Sequence, residues 1–301
     1  MDKHAYLIMV HNDIYILEKL LSLIDNEYND IYLHIDKKTK NIDLDELKNI
    51  CKKSDLYIVK RKNVKWSSYS QIECELLLLD EALKNNKYSY YHLLSGVDLV
   101  IKDINGIYNY FEENKGMEFI SFHSFNEITD LELDRIKYYH ILNGNIRHHN
   151  RFIRFISRKI YELSLNIQKK IGINRLKNNN LVIRKGANWF SITDDLARYV
   201  IENKNIIRKM YIFTFCADEI FLQTLVYNSK YIENVCRKYE FEHQNAKRHI
   251  DWNRGNPYTY IIDDYDELMN CNDFFARKFS TNVDKEIIDK IYFELKRGND
   301  E

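Results

Sequence analysis

Four short apolar runs alternate with segments of helical periodicity along the first third of this chain, and that alternation limits what it can fold into. The runs cover residues 6–10, 31–35, 56–59 and 90–94. Runs of four or five residues rich in Ile, Leu, Val and Tyr suit strands buried on both faces. Between them, residues 14, 17, 20, 21 and 24, and then 72, 76, 79 and 83, put apolar side chains on one face of a helix. Helices are therefore expected over 14–24, 44–51 and 69–83. A helix over 104–113, a strand over 119–122 and a strand over 189–193 continue the pattern, with Asp194 as the cap of the helix that follows. Another helix is expected over 217–228, a loop at 178–180, and a helical, polar tail from Asp264. Such alternation closes into an α/β fold with a mostly parallel central sheet and helices on both faces. One proline and 8 glycines in 301 residues leave no visible linker, so a single domain over 1–301 is expected.

Charge and cysteine usage narrow the classes. Lys+Arg and Asp+Glu are both 45, so the basic excess of a general nucleic-acid binder is missing and no nucleic-acid partner is expected. The five cysteines stand apart, none in Cys-x-x-Cys spacing, which suits free thiols in a reducing compartment and gives no support to a zinc site. The apolar run at 5–10 is too short for a signal-peptide core or a membrane span, so the expectation is a cytoplasmic protein. The segment 151–171 is amphipathic and basic. Phe152, Phe155, Ile156, Ile160, Leu163, Ile167 and Ile171 alternate with Arg151, Arg154, Arg158, Lys159, Lys169 and Lys170. A helix packed on the core by its apolar side is the first expectation. Contact with an anionic membrane, which would place the protein on the inner face of the cell membrane, is the second.

Several residues carry candidate chemistry. Asp218-Glu219 stands before the apolar stretch from Ile220, and a carboxylate beside an apolar wall suits a general base. Glu219 is assigned that role, with Asp218 expected to cap the helix and leave Glu219 free. Arg277 and Lys278, between Phe275 and Phe279, could stabilise a leaving diphosphate; Arg248 and Arg254 are further candidates. His11, Asp36 and Asp98 follow strands, where ligands of parallel sheets bind. Asp36 reads equally well as a turn residue, whereas Gly96 implies close backbone approach near Asp98. Trp66 and Trp189 offer faces on which a sugar can stack, and either could simply be core. Asp43-Leu44-Asp45 has the spelling of an Asp-x-Asp metal clamp, but it opens a polar helix and reads as a cap. No metal ligand is assigned.

Taken in order, the pieces 5–12, 31–38, 64–83, 90–101, 186–193, 217–224, 248–252 and 274–279 resemble a known family. It comprises the core-2/I-branching β-1,6-N-acetylglucosaminyltransferases and the protein O-xylosyltransferases, here in a bacterial form. Ala217, Val100 and Ser67 depart from the proline, proline and glycine usual there, and 125–180 does not match. The resemblance implies a GT-A-type fold, inversion at the anomeric carbon and a UDP-sugar donor used without metal or other cofactor. It implies Glu219 as the base and Lys278 as a diphosphate ligand, with Arg277 beside it.

The resulting expectation is a glycosyltransferase that moves a sugar, N-acetylglucosamine first among candidates, from UDP to a hydroxyl of a glycan acceptor. A lipid-linked acceptor in cell-surface polysaccharide synthesis fits best. The half 1–123 would bind the nucleotide sugar through His11, Asp36, Trp66 and Asp98. The half 124–301 would supply catalysis and acceptor contacts, including Trp189 and Asp218. A metal-dependent GT-A transferase and a non-catalytic carbohydrate-binding protein are the alternatives.

Overall fold

Side chains along strand β1 (Lys3–Val10) alternate between two cores. Ala5 and Leu7 enter one; Tyr6, Ile8 and Val10 enter the other. The same period of two runs through β2 (Asn29–Ile35), where Tyr32 faces one side and Ile31, Leu33 and Ile35 the other. A strand with apolar residues on both faces must be covered twice, and helices do this. Helix Ile14–Ile24 and the C-terminal helix Glu286–Asp300 cover one face; helices Ser70–Asn85 and Asp194–Glu202 cover the other. The computed structural model describes residues 2–40, 42–123, 128–177, 179–238 and 242–300.

The remaining strands are β3 (Asp55–Ile58), β4 (Tyr88–Ser95), β5 (Leu99–Val100), β6 (Phe119–Ile120), β7 (Phe190–Thr193), β8 (Arg248–Ile250) and β9 (Phe275–Arg277). Among the described residues they form a six-stranded sheet in the order β3-β2-β1-β4-β7-β6 and a three-stranded sheet in the order β5-β9-β8. β3, β2, β1 and β4 are parallel, and β7 is antiparallel to both β4 and β6. The chain winds outward from β1 to β3, then returns over the opposite face to β4. The order therefore reverses between β1 and β4, and ligands of such sheets bind beyond the carboxyl ends of the strands at that point. The expected mostly parallel α/β architecture holds.

Several local expectations are corrected. Thr193, not Asp194, caps the helix Asp194–Glu202, while the Asp194 carboxylate binds Tyr91 and Arg198. The helix expected over 217–228 splits into a 3-10 turn, Ala217–Glu219, and an α-helix, Phe221–Tyr227. The tail is not simply polar: β9 interrupts it, and Ile287, Ile288 and Ile291 are buried. Asp43 does cap its helix, accepting from Asp45 N and Glu46 N. The expected boundary of the halves at 123/124 falls beside residues 124–127, and Asn178 falls in the expected 178–180 loop. Both lie outside the described residues.

The basic helix, Arg151–Lys170, is the largest departure. Its inward stripe is polar: Ser157 and Gln168 are buried, with Arg154, Tyr161 and Ser164 beside them. Gln168 exchanges hydrogen bonds with the Tyr139 backbone, and Arg158 reaches the Ile146 carbonyl. The apolar stripe faces outward, with Phe152 71%, Phe155 61% and Leu163 61% exposed. Packing on the core through the apolar side is thus excluded.

Two glycines mark close approaches near the crevice. A Cβ on Gly186 would stand 1.9 Å from the Ser121 carbonyl oxygen; one on Gly96 would meet Val10 Cγ2 at 2.4 Å. A backbone carbonyl cannot swing aside as a side-chain methyl can. Gly186→Ala should therefore cost more stability than Gly96→Ala, by about 1 kcal/mol or more, as read from urea unfolding midpoints. Equal losses would contradict this account of the 186 approach.

Candidate functional site

Three loops meet beyond the carboxyl end of β4. The first is Ser95-Gly96-Val97-Asp98. Asp98 Oδ2 accepts from Ser95 N at 2.7 Å, and Oδ1 accepts from Ser95 Oγ at 2.7 Å and from Arg277 Nη1 at 2.8 Å. Arg277, at the end of β9, also donates to Ser95 Oγ at 2.6 Å and lies over the Trp189 ring at 4.4 Å. Asp98 thus acts on Arg277, fixing the fork of its guanidinium. Among the described residues, the neighbouring Lys278 ammonium makes no hydrogen bond or ion pair.

His11 follows β1 and Asp36 follows β2, as expected. His11 sits in the field of Asp36, Lys38, Arg277 and Lys278; partial removal from water lowers its pKa, with Asp36 opposing. Asp36 takes the turn role. It accepts from Lys38 N at 2.7 Å and Val64 N at 2.9 Å, and is buried.

The second loop carries Glu219. Its Oε2 accepts from Arg135 Nη1 at 2.7 Å, with Lys185 Nζ 3.7 Å away, and its side chain is 34% exposed. Cys216, in the left-handed region at φ 45°, turns the chain into this segment. Asp218 does not cap it. Asp218 is buried, and its Oδ2 accepts from Gln71 Nε2 at 2.8 Å. Burial, then the Glu219 charge, pushes Asp218 up to about 7. Glu75, fully buried nearby, is raised well above the usual range by burial and then by Asp218. Burial thus favours the protonated form of both inner carboxyls, while Glu219 faces two cations.

The third loop, 186–189, joins the other two. Gly186 N donates to the Glu219 carbonyl at 2.9 Å, and Trp189 stacks on Arg277. Three residues span at most about 11 Å, so this short segment links the Glu219 loop to the ring that covers Arg277. Trp66 is 41% exposed, with Arg147 over its ring at 3.3 Å and Phe215 edge-on at 5.6 Å. It therefore stands beside the Glu219 loop, and Trp189 beside Arg277.

Two further expected cations are engaged by protein groups. Arg248 is buried, donating to the carbonyls of Ala246 and Phe190 at 2.7 Å each and to Ser191 Oγ at 3.1 Å. Burial lowers its pKa to about 9. Arg254 is held by Asp251, Asp264 and Glu267. Sequence reasoning missed Arg135 and Lys185, which pair with Glu219, and Gln71 and Glu75, which surround Asp218. Lys185 directly precedes the Gly186 segment and was open to notice. Arg135 lies in the stretch that matches no family piece.

Residues 4–269 match the family model described as Core-2/I-Branching enzyme. Xylosyltransferase 2 of Canis lupus familiaris is 20% identical over 97% of this chain and 33% of its own length. Xylosyltransferase of Ciona intestinalis is 21% identical over 97% and 34%, and xylosyltransferase sqv-6 of Caenorhabditis briggsae 23% over 86% and 32%. The chain spans about a third of the length of the curated relatives it matches. The apo crystal structure of mouse xyloside xylosyltransferase 1 aligns over 92% of this chain and 97% of that one. Its identity is 11% and its TM-score 0.35, too low to bear on the fold.

The raised Asp218 pKa has a stability consequence. Between the ordinary carboxylate value and about 7, the folded chain keeps a proton that the unfolded chain releases. Stability from this group is full at low pH and is lost as pH rises through that window. Asp218→Asn removes the effect. Its melting temperature relative to the unaltered protein should rise between pH 5 and pH 8, by roughly 2–4 °C for each kcal/mol recovered. A flat difference would mean that Asp218 is not held neutral.

Proposed function

The chain belongs to the Core-2/I-branching enzyme family, and on that premise we propose that it is an inverting glycosyltransferase using a UDP-sugar without a metal ion. The GT-A assignment implied by the resemblance is part of this reading. An acceptor hydroxyl enters between Glu219 and the anomeric carbon. Its oxygen attacks in line, its proton passes to Glu219, and the bond to the diphosphate breaks. Arg135 and Lys185 stand 2.7 and 3.7 Å from the Glu219 carboxylate and hold it in place. Charge grows on the departing diphosphate, and Arg277 with Lys278 stabilises it.

The observation that carries this reading is the Asp98–Arg277 pair. Asp98 is one of the two acids that the metal-dependent alternative would use as a ligand, yet both its oxygens are taken by Ser95 and Arg277. A positioned guanidinium takes the place of the cation. Donor screening begins with UDP-N-acetylglucosamine and UDP-xylose, the latter because the relatives are named xylosyltransferases. The acceptor is a glycan hydroxyl, lipid-linked in cell-surface polysaccharide synthesis.

The outward apolar stripe of Arg151–Lys170 supports a lipid-linked acceptor. Phe152, Phe155, Leu163 and Ile167 with flanking Arg and Lys match an anionic bilayer surface in both polarity and charge. Among the described residues no helix is long and apolar enough to cross a membrane. Contact would thus be peripheral, on the inner face in this reading.

Glu219→Gln should lower turnover by about 10²–10⁴-fold while UDP still binds. Near-normal turnover would remove Glu219 as base. Lys278→Ala should weaken UDP binding roughly 10–100-fold, the worth of one charge-assisted contact; unchanged affinity in calorimetry would remove Lys278 from the site. The protein should also sediment with phosphatidylglycerol vesicles, less so at high salt, and Phe155→Asp with Leu163→Asp should abolish this. Vesicle binding that survives both substitutions would contradict the membrane contact.

A further inference from the structure

Away from the mouth, on the far side of the small sheet, His249, Cys271 and Asp273 come together. Their ligand atoms lie within 4.8 Å of one another. His249 sits on β8, and its Nδ1 faces Asp273 Oδ2 at 3.3 Å. Cys271 and Asp273 lie in the loop between helix Tyr265–Asn270 and β9. The other ring nitrogen, Nε2, faces Glu267 Oε1 at 3.1 Å.

An ion-paired histidine accounts for part of this arrangement but leaves one feature over. Asp273 is fully buried, and its second oxygen, Oδ1, has no hydrogen-bond partner among the described residues. Leaving such an atom unmatched in the interior costs about 1–3 kcal/mol. The thiol of Cys271 donates to the Leu268 carbonyl at 3.2 Å, and its sulfur lies within 4.8 Å of the ligand atoms of both neighbours.

We propose that His249 Nδ1, Cys271 Sγ and Asp273 form a binding site for a zinc-class divalent ion, with Glu267 orienting the imidazole from behind. Bonds of about 2.0–2.3 Å to a tetrahedral ion set the ligand atoms about 3.3–3.8 Å apart. The His249–Asp273 separation already has that value, and the wider separations close with a small side-chain movement. A thiolate, an imidazole and a carboxylate together favour zinc over magnesium or calcium. A carboxylate on the second nitrogen of a ligating histidine fixes its tautomer and raises its basicity. The fourth position is left to water. The ion ties β8 to the loop that leads into β9, and β9 carries Arg277 and runs into Lys278. Its role is to brace the diphosphate-binding strand. It lies outside the transfer chemistry, so the inference does not depend on the proposed activity.

Cobalt(II) alone tests the site in the full chain. Protein stripped with chelator, desalted and titrated with cobalt should develop thiolate-to-cobalt absorption that saturates near one equivalent and disappears when zinc is added. Cys271→Ser should lose the thiolate band, and Glu267→Gln should weaken binding about 10–100-fold. No thiolate band in the unaltered protein, or a band of equal strength in Cys271→Ser, would overturn the proposal. The unaltered-protein titration reads the site even if a variant folds poorly.

Discussion

An ion pair 2.8 Å long between Asp98 and Arg277 extends the β5–β9 pairing of the small sheet, and Ser95, the last residue of β4, ties it to the large sheet. Asp98 follows the central strand β4, and Arg277 ends β9 of the small sheet. Ser95 bonds both partners, and Trp189 closes over the guanidinium. Truncating one side of so buried a pair would strand the other charge, at about 3–5 kcal/mol. Behind it, Arg248 crosses from β8 to the Phe190 carbonyl and to Ser191, on β7 of the large sheet. One arginine thus builds the joint, and the other is aimed by it toward the crevice. Their near-identical look in sequence conceals opposite assignments.

A comparable division separates the carboxyls. Asp218 and Glu219 are adjacent in the chain, yet burial holds Asp218 at about 7 while Glu219 stays partly exposed between two cations. With Glu75 also raised by burial, the inner side of the segment disfavours charge, and Glu219 lies at its exposed edge. This is the arrangement a base at the edge of an apolar wall requires.

Periodicity made the central sheet legible because each strand of the first half is buried on both faces and each intervening helix on one. β1, β2 and β4 and their helices follow directly from that rule. The small sheet was not legible. β5 has two residues, β8 and β9 have three each, and their partners lie far apart in the chain. The same distance hid the His249–Cys271–Asp273 cluster. The Arg151–Lys170 helix was legible as a helix but not in its facing, since amphipathicity alone does not say which side meets the protein. Here Gln168 and Tyr161 make hydrogen bonds inward and Ser157 is buried, so the apolar stripe remains outside. Glu219, Arg277 and Lys278 stood out in sequence beside aromatic and apolar runs. Arg135 could be found only through the fold that brings it to Glu219.

The central claim is that fixed cations, aimed by Asp98, stand where other sugar-nucleotide enzymes use a metal ion. Calorimetric titration of UDP into the unaltered protein, once in chelator and once with manganese, tests it most directly. The account expects equal affinity in both conditions. Binding that appears only with manganese would contradict it.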